Sequence, residues 1–196
     1  MSVPATASDH PATWKFDFPV YHPADLAAWR AWLAEHHATA RGCWVASWRK
    51  GSGLDPVPYA DLVEEALCWG WIDSTVNTLD EARGLQMMTP RKARSTWTRL
   101  NRRRVEALEE QGRMTDAGRR AVEVAKANGW WTILEPVEDL VVPDDLAAAL
   151  DTDPALRAAW ERTAPSARKQ ALLSLVTAAG ADTRARRIAA VCRGLL

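Results

Sequence analysis

Between Trp69 and Asn101 the chain reads WGWIDSTVNTLDEARGLQMMTPRKARSTWTRLN, which sets Asp73 and Ser74 behind an aromatic run and follows them with Arg91, Lys92, Ser95, Trp97 and Asn101. A carboxylate in that company suits a general base, with Ser74 or Asn101 orienting a substrate. Arg91 and Lys92 suit the binding of a phosphate or carboxylate, with Ser95 at a helix start adding N–H donors. The plainer reading of Asp73 is a structural hydrogen-bond acceptor or ion-pair partner. The rest of the chain offers no familiar catalytic template: no GxSxG, no phosphate loop, no dinucleotide glycine pattern, no HExxH. Whether the protein is an enzyme therefore stays open. The histidines, His10, His22, His36 and His37, lie near the N-terminus with no accompanying ligand pattern, so no metal and no cofactor are expected.

Charge is balanced overall at a formal zero, yet it is segregated along the chain. Residues 89 to 104 carry seven Lys or Arg and no acid, and residues 135 to 153 carry seven Asp or Glu and no base. The basic run invites a nucleic-acid reading, and a helical wheel is the first test of it. For a helix over 95 to 111, Trp97, Leu100, Val105 and Leu108 form the inward arc, with Arg99, Arg102 and Arg103 opposite. Asn101 and Arg104 fall inside the apolar arc, and an inward arginine needs a carboxylate or an anion. In the last helix Arg184 sits amid Ile188, Val191 and Leu195, with Arg187 at the edge of that arc. Arg184 also lies in the first helical turn, where the dipole disfavours a cation without a negative neighbour. Two readings follow. Arg91, Arg104 and Arg184 pair with internal carboxylates such as Asp73, Asp80 or Glu64, or they form an anion pocket. The pocket is expected where the two halves of the chain meet, roofed by Trp69, Trp71 or Trp97.

The motifs Ala66-Leu67-Cys68-Trp69-Gly70-Trp71-Ile72-Asp73-Ser74, Thr89-Pro90-Arg91-Lys92 and Ser95-x-Trp97 resemble the signature of the YdeI/OmpD-associated, or bacteriocin-protection, family. Gly112-Arg113-Met114-x-x-x-Gly118, Ala125-Lys126-x-x-Gly129-x-Trp131 and Thr183-Arg184-x-x-Arg187 extend the resemblance from about Phe18 to the C-terminus. The resemblance implies a role in withstanding bacteriocins or envelope stress, and it carries no reaction with it.

The elements that must position these residues are legible from periodicity and punctuation. Trp14, Phe16 and Phe18 alternate toward Pro19 as an edge strand, and a helix is expected over 23 to 38. Strands follow at 43 to 50, 71 to 75 and, with weaker pattern, 81 to 88, with a helix over 59 to 69 between the first two. Thr115 caps a helix to 128 whose inward side is Ala117, Gly118, Ala121, Val124 and Ala125. Helices over 144 to 150, 154 to 163, 165 to 179 and 184 to 194 complete the chain. The class is α+β: a small antiparallel sheet with packed helices, then an all-helical C-terminal region. The divisions are a disordered tail at 1 to 13, an α+β core at 14 to 134, an acidic linker at 135 to 142 and helices from 143 to 196. No apolar run reaches the roughly 18 residues of a membrane span, and three unpatterned cysteines suggest reduced thiols in the cytoplasm. A small anionic ligand is the expected partner, ahead of nucleic acid.

Overall fold

In the computed structural model of the chain, whose described residues are Thr6–Ala7 and 18–195, the Asp25 carboxylate accepts the Ala28 N–H at 2.7 Å and opens α1 (Leu26–His36). The cap satisfies one of the donors that a helix start leaves unpaired. α1 turns Trp29, Trp32 and Leu33 inward. The rings of Trp29 and Trp32 stack at 5.3 Å, Tyr21 lies 5.8 Å from Trp32, and Trp71 meets Trp32 edge-on. Each such pair adds about 0.5–1.5 kcal/mol beyond area burial, so these tryptophans are core.

The sheet comprises β1 (Thr6–Ala7), β2 (Val20–Tyr21), β3 (Cys43–Trp48), β4 (Trp71–Thr78) and β5 (Arg83–Pro90), in the order β1-β2-β3-β5-β4. The pairs β1–β2, β3–β5 and β5–β4 are antiparallel, whereas β2 and β3 run parallel. The sheet is therefore mixed, correcting the antiparallel expectation. The cause is α1: it crosses between β2 and β3, and a strand–helix–strand crossover returns the chain in the same direction. Trp14 and Phe16, expected on a strand, and all of the tail except the Thr6–Ala7 strand lie outside the described residues.

β4 and β5 form a hairpin whose turn is organised by Asp80. Its carboxylate accepts the backbone N–H groups of Ala82 and Arg83 at 3.0 and 2.8 Å and the Arg83 side chain at 2.8 Å, which holds it below the usual carboxylate range. The register breaks between Asp73 and Val76, so that Asp73 faces Met88 and Val76 faces Gln86. Bulges of this kind re-aim side chains, and here the irregularity sits beside Asp73.

α2 (Tyr59–Cys68) ends at Gly70, whose φ of +74° a larger residue would resist. α3 (Arg99–Glu110) starts later than expected, because Ser95 accepts the Lys92 N–H at 2.9 Å in a turn of its own instead of capping the helix. α4 (Asp116–Ala127) is capped by Thr115 and buries Gly118, Val122 and Ala125, while Val124, expected inward, is exposed.

The described residues form two compact units: those up to Ser95 together with Leu100–Asn128, and Thr96–Arg99 together with Gly129 onward. The second unit holds α5 (Glu135–Glu138), α6 (Asp144–Leu150), α7 (Pro154–Arg162), α8 (Pro165–Val176) and α9 (Ala181–Leu195). Leu146, Leu150, Trp160, Leu172 and Leu175 form its core with Leu134 and Val137. The acidic segment read as a linker thus contains a helix with a buried valine.

His22, at the end of β2, is buried and packs edge-on against Trp48 at 4.8 Å, and its Nδ1 has no hydrogen-bond partner among the described residues. Burial lowers its pKa, Arg83 lowers it further, and Asp80 opposes both. Between the lowered folded value and the ordinary value of about 6.5, the unfolded chain binds the proton and the folded one does not. His22 therefore contributes fully above about pH 6.5, and stability should fall as pH drops through and below that value. A urea-midpoint series against pH checks this, and His22→Phe should flatten the profile there.

Candidate functional site

Tyr59 is the first residue of α2, directly behind Pro58, and its hydroxyl donates to the Asp73 carboxylate. Burial pushes the phenol up to about 12, and the bond to Asp73 and the charge of that carboxylate add to the shift, while Arg104 opposes it. Tyr59 thus keeps its proton at neutral pH and acts as a donor. Arg91 follows β5 immediately. Burial lowers its guanidinium to about 9, with Asp73 countering, so it still carries charge near neutrality. From α3, Arg104 donates to the Asn101 side chain at 3.3 Å and lies 3.8 Å from Glu64.

The cluster continues into a network on the inward side of α2. Arg113 stands 3.7 Å from Glu64 and 3.2 Å from Glu65. Glu65 is 1% exposed; it accepts the Trp69 indole N–H at 3.2 Å and pairs with Arg30 at 3.3 Å. A carboxylate so placed must be paired to stay charged, and its partners tie α1, α2 and the α3–α4 turn together. A cavity of ≈ 410 Å³ opens between Arg30, Asp61, Glu65 and Arg113, with Leu26 and Ala27 completing its lining. An apolar groove of ≈ 260 Å³ lies elsewhere in the same unit, and Tyr59 is part of its wall.

Of the residues expected at a site, Asp73 accepts from Tyr59, Arg104 acts on Tyr59 by its charge and donates to Asn101, and Arg91 faces the charge of Asp73. Ser74 and Lys92 are exposed, and Ser95 is spent on its turn. Trp97 is 1% exposed and packs on Trp131 at 4.9 Å, which makes it core and not the roof of a pocket; Trp71 is likewise buried, with its indole N–H on the His37 carbonyl. Arg184 forms a two-pronged pair with Asp145 at 2.6 and 2.9 Å and donates to the Leu175 carbonyl at 3.0 Å. Arg187 donates to the Ser174 carbonyl and to Thr177. Both arginines therefore close the C-terminal end of α8, where a helix presents unpaired carbonyls and partial negative charge. The negative neighbour that the dipole argument required of Arg184 is Asp145 with these carbonyls, all within the helical unit. Among the described residues no group of three His, Cys, Asp or Glu could hold a metal ion.

The structure brings in Tyr59, Glu65 and Arg30, which the sequence did not single out, and Arg113, which it marked only within a family motif. Glu65 was accessible to the same wheel used for the arginines, since Leu62, Glu65, Ala66 and Trp69 share one face. Tyr59 was not, because its partner is fourteen residues away across a helix and a turn.

Comparison with known families adds two matches. Residues 21–121, just over half the chain and including the Tyr59 cluster, match the family described as Domain of unknown function (DUF8412). Residues 139–196 match Bacteriocin-protection, YdeI or OmpD-Associated. No curated protein and no solved structure matches the chain. The Trp69 to Asn101 motifs thus fall in the first match, and Thr183-Arg184-x-x-Arg187 in the second.

Proposed function

We propose, for a chain that belongs to a domain family of unknown function over residues 21–121 and to the bacteriocin-protection, YdeI or OmpD-associated family over residues 139–196, that the N-terminal unit binds a small phosphate- or carboxylate-bearing ligand beside Tyr59. The observation that supports this is the bond from the Tyr59 hydroxyl to Asp73 of β4, with Arg104 from α3 acting by its charge on Tyr59 and Arg91, at the end of β5, facing the charge of Asp73. Two arginines and a proton-bearing phenol supply donors to an anion, and Asp73 orients the phenol. A part in withstanding bacteriocins or envelope stress belongs to this reading, with capture of the anion as this unit's share. We place the protein in the cytoplasm, since Cys43, Cys68 and Cys192 are free thiols; no described helix is long and apolar enough to cross a membrane.

Thermal melts at matched ionic strength test the binding. Phosphate, sulfate or a small dicarboxylate should raise the midpoint over chloride, since ligand at a hundred times its Kd adds about 2.7 kcal/mol. Arg104→Ala should abolish the shift. Arg184→Ala should instead cost about 1–2 kcal/mol by orphaning Asp145 and the α8 carbonyls, and keep the anion response intact. An anion shift that survives Arg104→Ala would remove Arg104 from the site.

The nucleic-acid alternative draws on the run from 89 to 104, and the structure occupies much of that charge. Arg99 pairs with Asp139 at 2.8 Å, Arg102 is buried, and Lys92, Arg94 and Arg103 are exposed. Three phosphate contacts would give a salt slope of about −2.7, roughly 40-fold weaker binding at 200 than at 50 mM salt. Duplex titrations should show no such binding; a steep slope lost in a triple alanine variant of these residues would favour the alternative.

A further inference from the structure

The groove of ≈ 260 Å³ borders the same tyrosine but has its own chemistry. Its walls come from β3, the 51 to 58 loop, the start of α2 and the β4–β5 hairpin, and Val57, Leu62, Val76 and Leu85 make it apolar. Val76 is 73% exposed on a strand, apolar surface that a bound group would cover. Arg49 is the single charged residue among the lining, and its guanidinium makes no hydrogen bond or ion pair among the described residues. Its Cγ lies 4.0 Å from where a Cβ on Gly84 would stand, so the stem of Arg49 runs beside a stretch of wall that lacks a side chain. Ser47 and Gln86 add a hydroxyl and an amide to the lining. An apolar slot with one free cation and a few hydroxyl and amide groups is the general form of a small-ligand site.

We propose that this groove binds a small aryl carboxylate, the ring lying between Val57, Leu62 and Val76 and the carboxylate pairing with Arg49. The volume suits a single ring with a short acidic side chain. Arg49 selects the anion over its neutral amide, because a charge-assisted bond with a guanidinium contributes more than a neutral one. The groove shares Tyr59 with the Asp73 and Arg104 cluster, but its own cation is Arg49 and it does not depend on an anion binding at that cluster. Tyr59 contributes its ring to the groove and its hydroxyl to Asp73.

Gly84 gives a specific probe. A Cβ there would meet nothing closer than the Asn77 carbonyl at 3.8 Å, and the backbone is not left-handed. Gly84→Val should therefore fold, suit a strand and fill the groove. Amide and indole NMR shifts are followed during titration with phenylacetate, phenylacetamide and inorganic phosphate. Phenylacetate should give saturable shifts at the amides of Ser47, Gly84 and Gln86, with phenylacetamide about tenfold weaker. Gly84→Val should abolish these shifts, Arg49→Gln should erase the preference for acid over amide, and Arg104→Ala should leave both. If Gly84→Val fails to fold, the acid-to-amide ratio in Arg49→Gln decides. Shifts by phenylacetate confined to Asn101 and Arg104, or none that saturate at millimolar concentration, overturn the groove and leave the anion reading standing. Groove shifts with phenylacetate and no response to phosphate do the reverse.

Discussion

Replacing Gly118 with alanine should destabilise the N-terminal unit by about 2 kcal/mol, and with valine by more. A Cβ at this position would stand 2.3 Å from the Cys68 carbonyl oxygen and 2.8 Å from its carbon, backbone atoms that cannot swing aside. The same oxygen accepts the Thr115 hydroxyl at 2.7 Å and the Thr115 N–H at 3.1 Å, so the C-terminal end of α2 is fastened to the start of α4 at one point. Forcing these elements apart would stretch both bonds. Alanine gains about 1 kcal/mol in helix propensity over glycine, and the expected loss is what remains after that gain. Urea unfolding measures it; an alanine variant as stable as the parent would show that α4 can shift without cost.

Removing the Glu65 carboxylate should cost about 3 kcal/mol, the lower end of what breaking a buried pair costs. The side chain is 1% exposed, and three donors converge on it from Arg30, Arg113 and Trp69. Arg30 is 46% exposed and can return to water, which keeps the loss from being larger. Glu65→Ala would leave the indole N–H and Arg113 short of an acceptor, whereas Glu65→Gln keeps one carbonyl oxygen and should lose less than half as much. Chemical denaturation of the two variants gives the ordering, and equal losses would mean that volume and not charge is what the position needs.

These effects show which parts of the architecture were legible in the sequence. Helix α4 was, because Thr115 is a cap and Gly118 and Ala125 mark a face built for close approach. The hairpin was legible only in part: β5 has few strong strand formers, and what fixes it is pairing with β3 and β4 on both sides together with the Asp80 turn. In α3 the expected arc began at Trp97, which precedes the helix. Phased instead on Asn101, Val105 and Leu108, the inward face takes in Arg102 and leaves Leu100 exposed, as observed. The parallel β2–β3 pair was hidden because β2 is two residues long, too short for any period.

The candidate site was legible as a set of residue types and not as a set of neighbours. Inward arginines were rightly read as needing partners, and the partners are mostly internal: Glu64 for Arg104 and Asp145 for Arg184. Asp145 could not have been chosen beforehand, since the link is a meeting of α6 with the first turn of α9. Arg184, expected to join Asp73 and Arg91, is engaged within the helical unit by Asp145 and the Leu175 carbonyl. What remains is the group around Tyr59.

The central claim is that this group holds a small anion, and the side-chain Nε–Hε resonances of Arg104 and Arg91 report on it directly in an NMR titration with inorganic phosphate. Binding should shift both resonances along one saturating curve, slow their exchange with water, and lose the Arg104 response in Tyr59→Phe if the phenol is a shared donor. Both resonances holding still to saturating phosphate, while exposed Arg94 and Arg103 drift only with ionic strength, would contradict the account and leave the cluster as an internal ion-pair network.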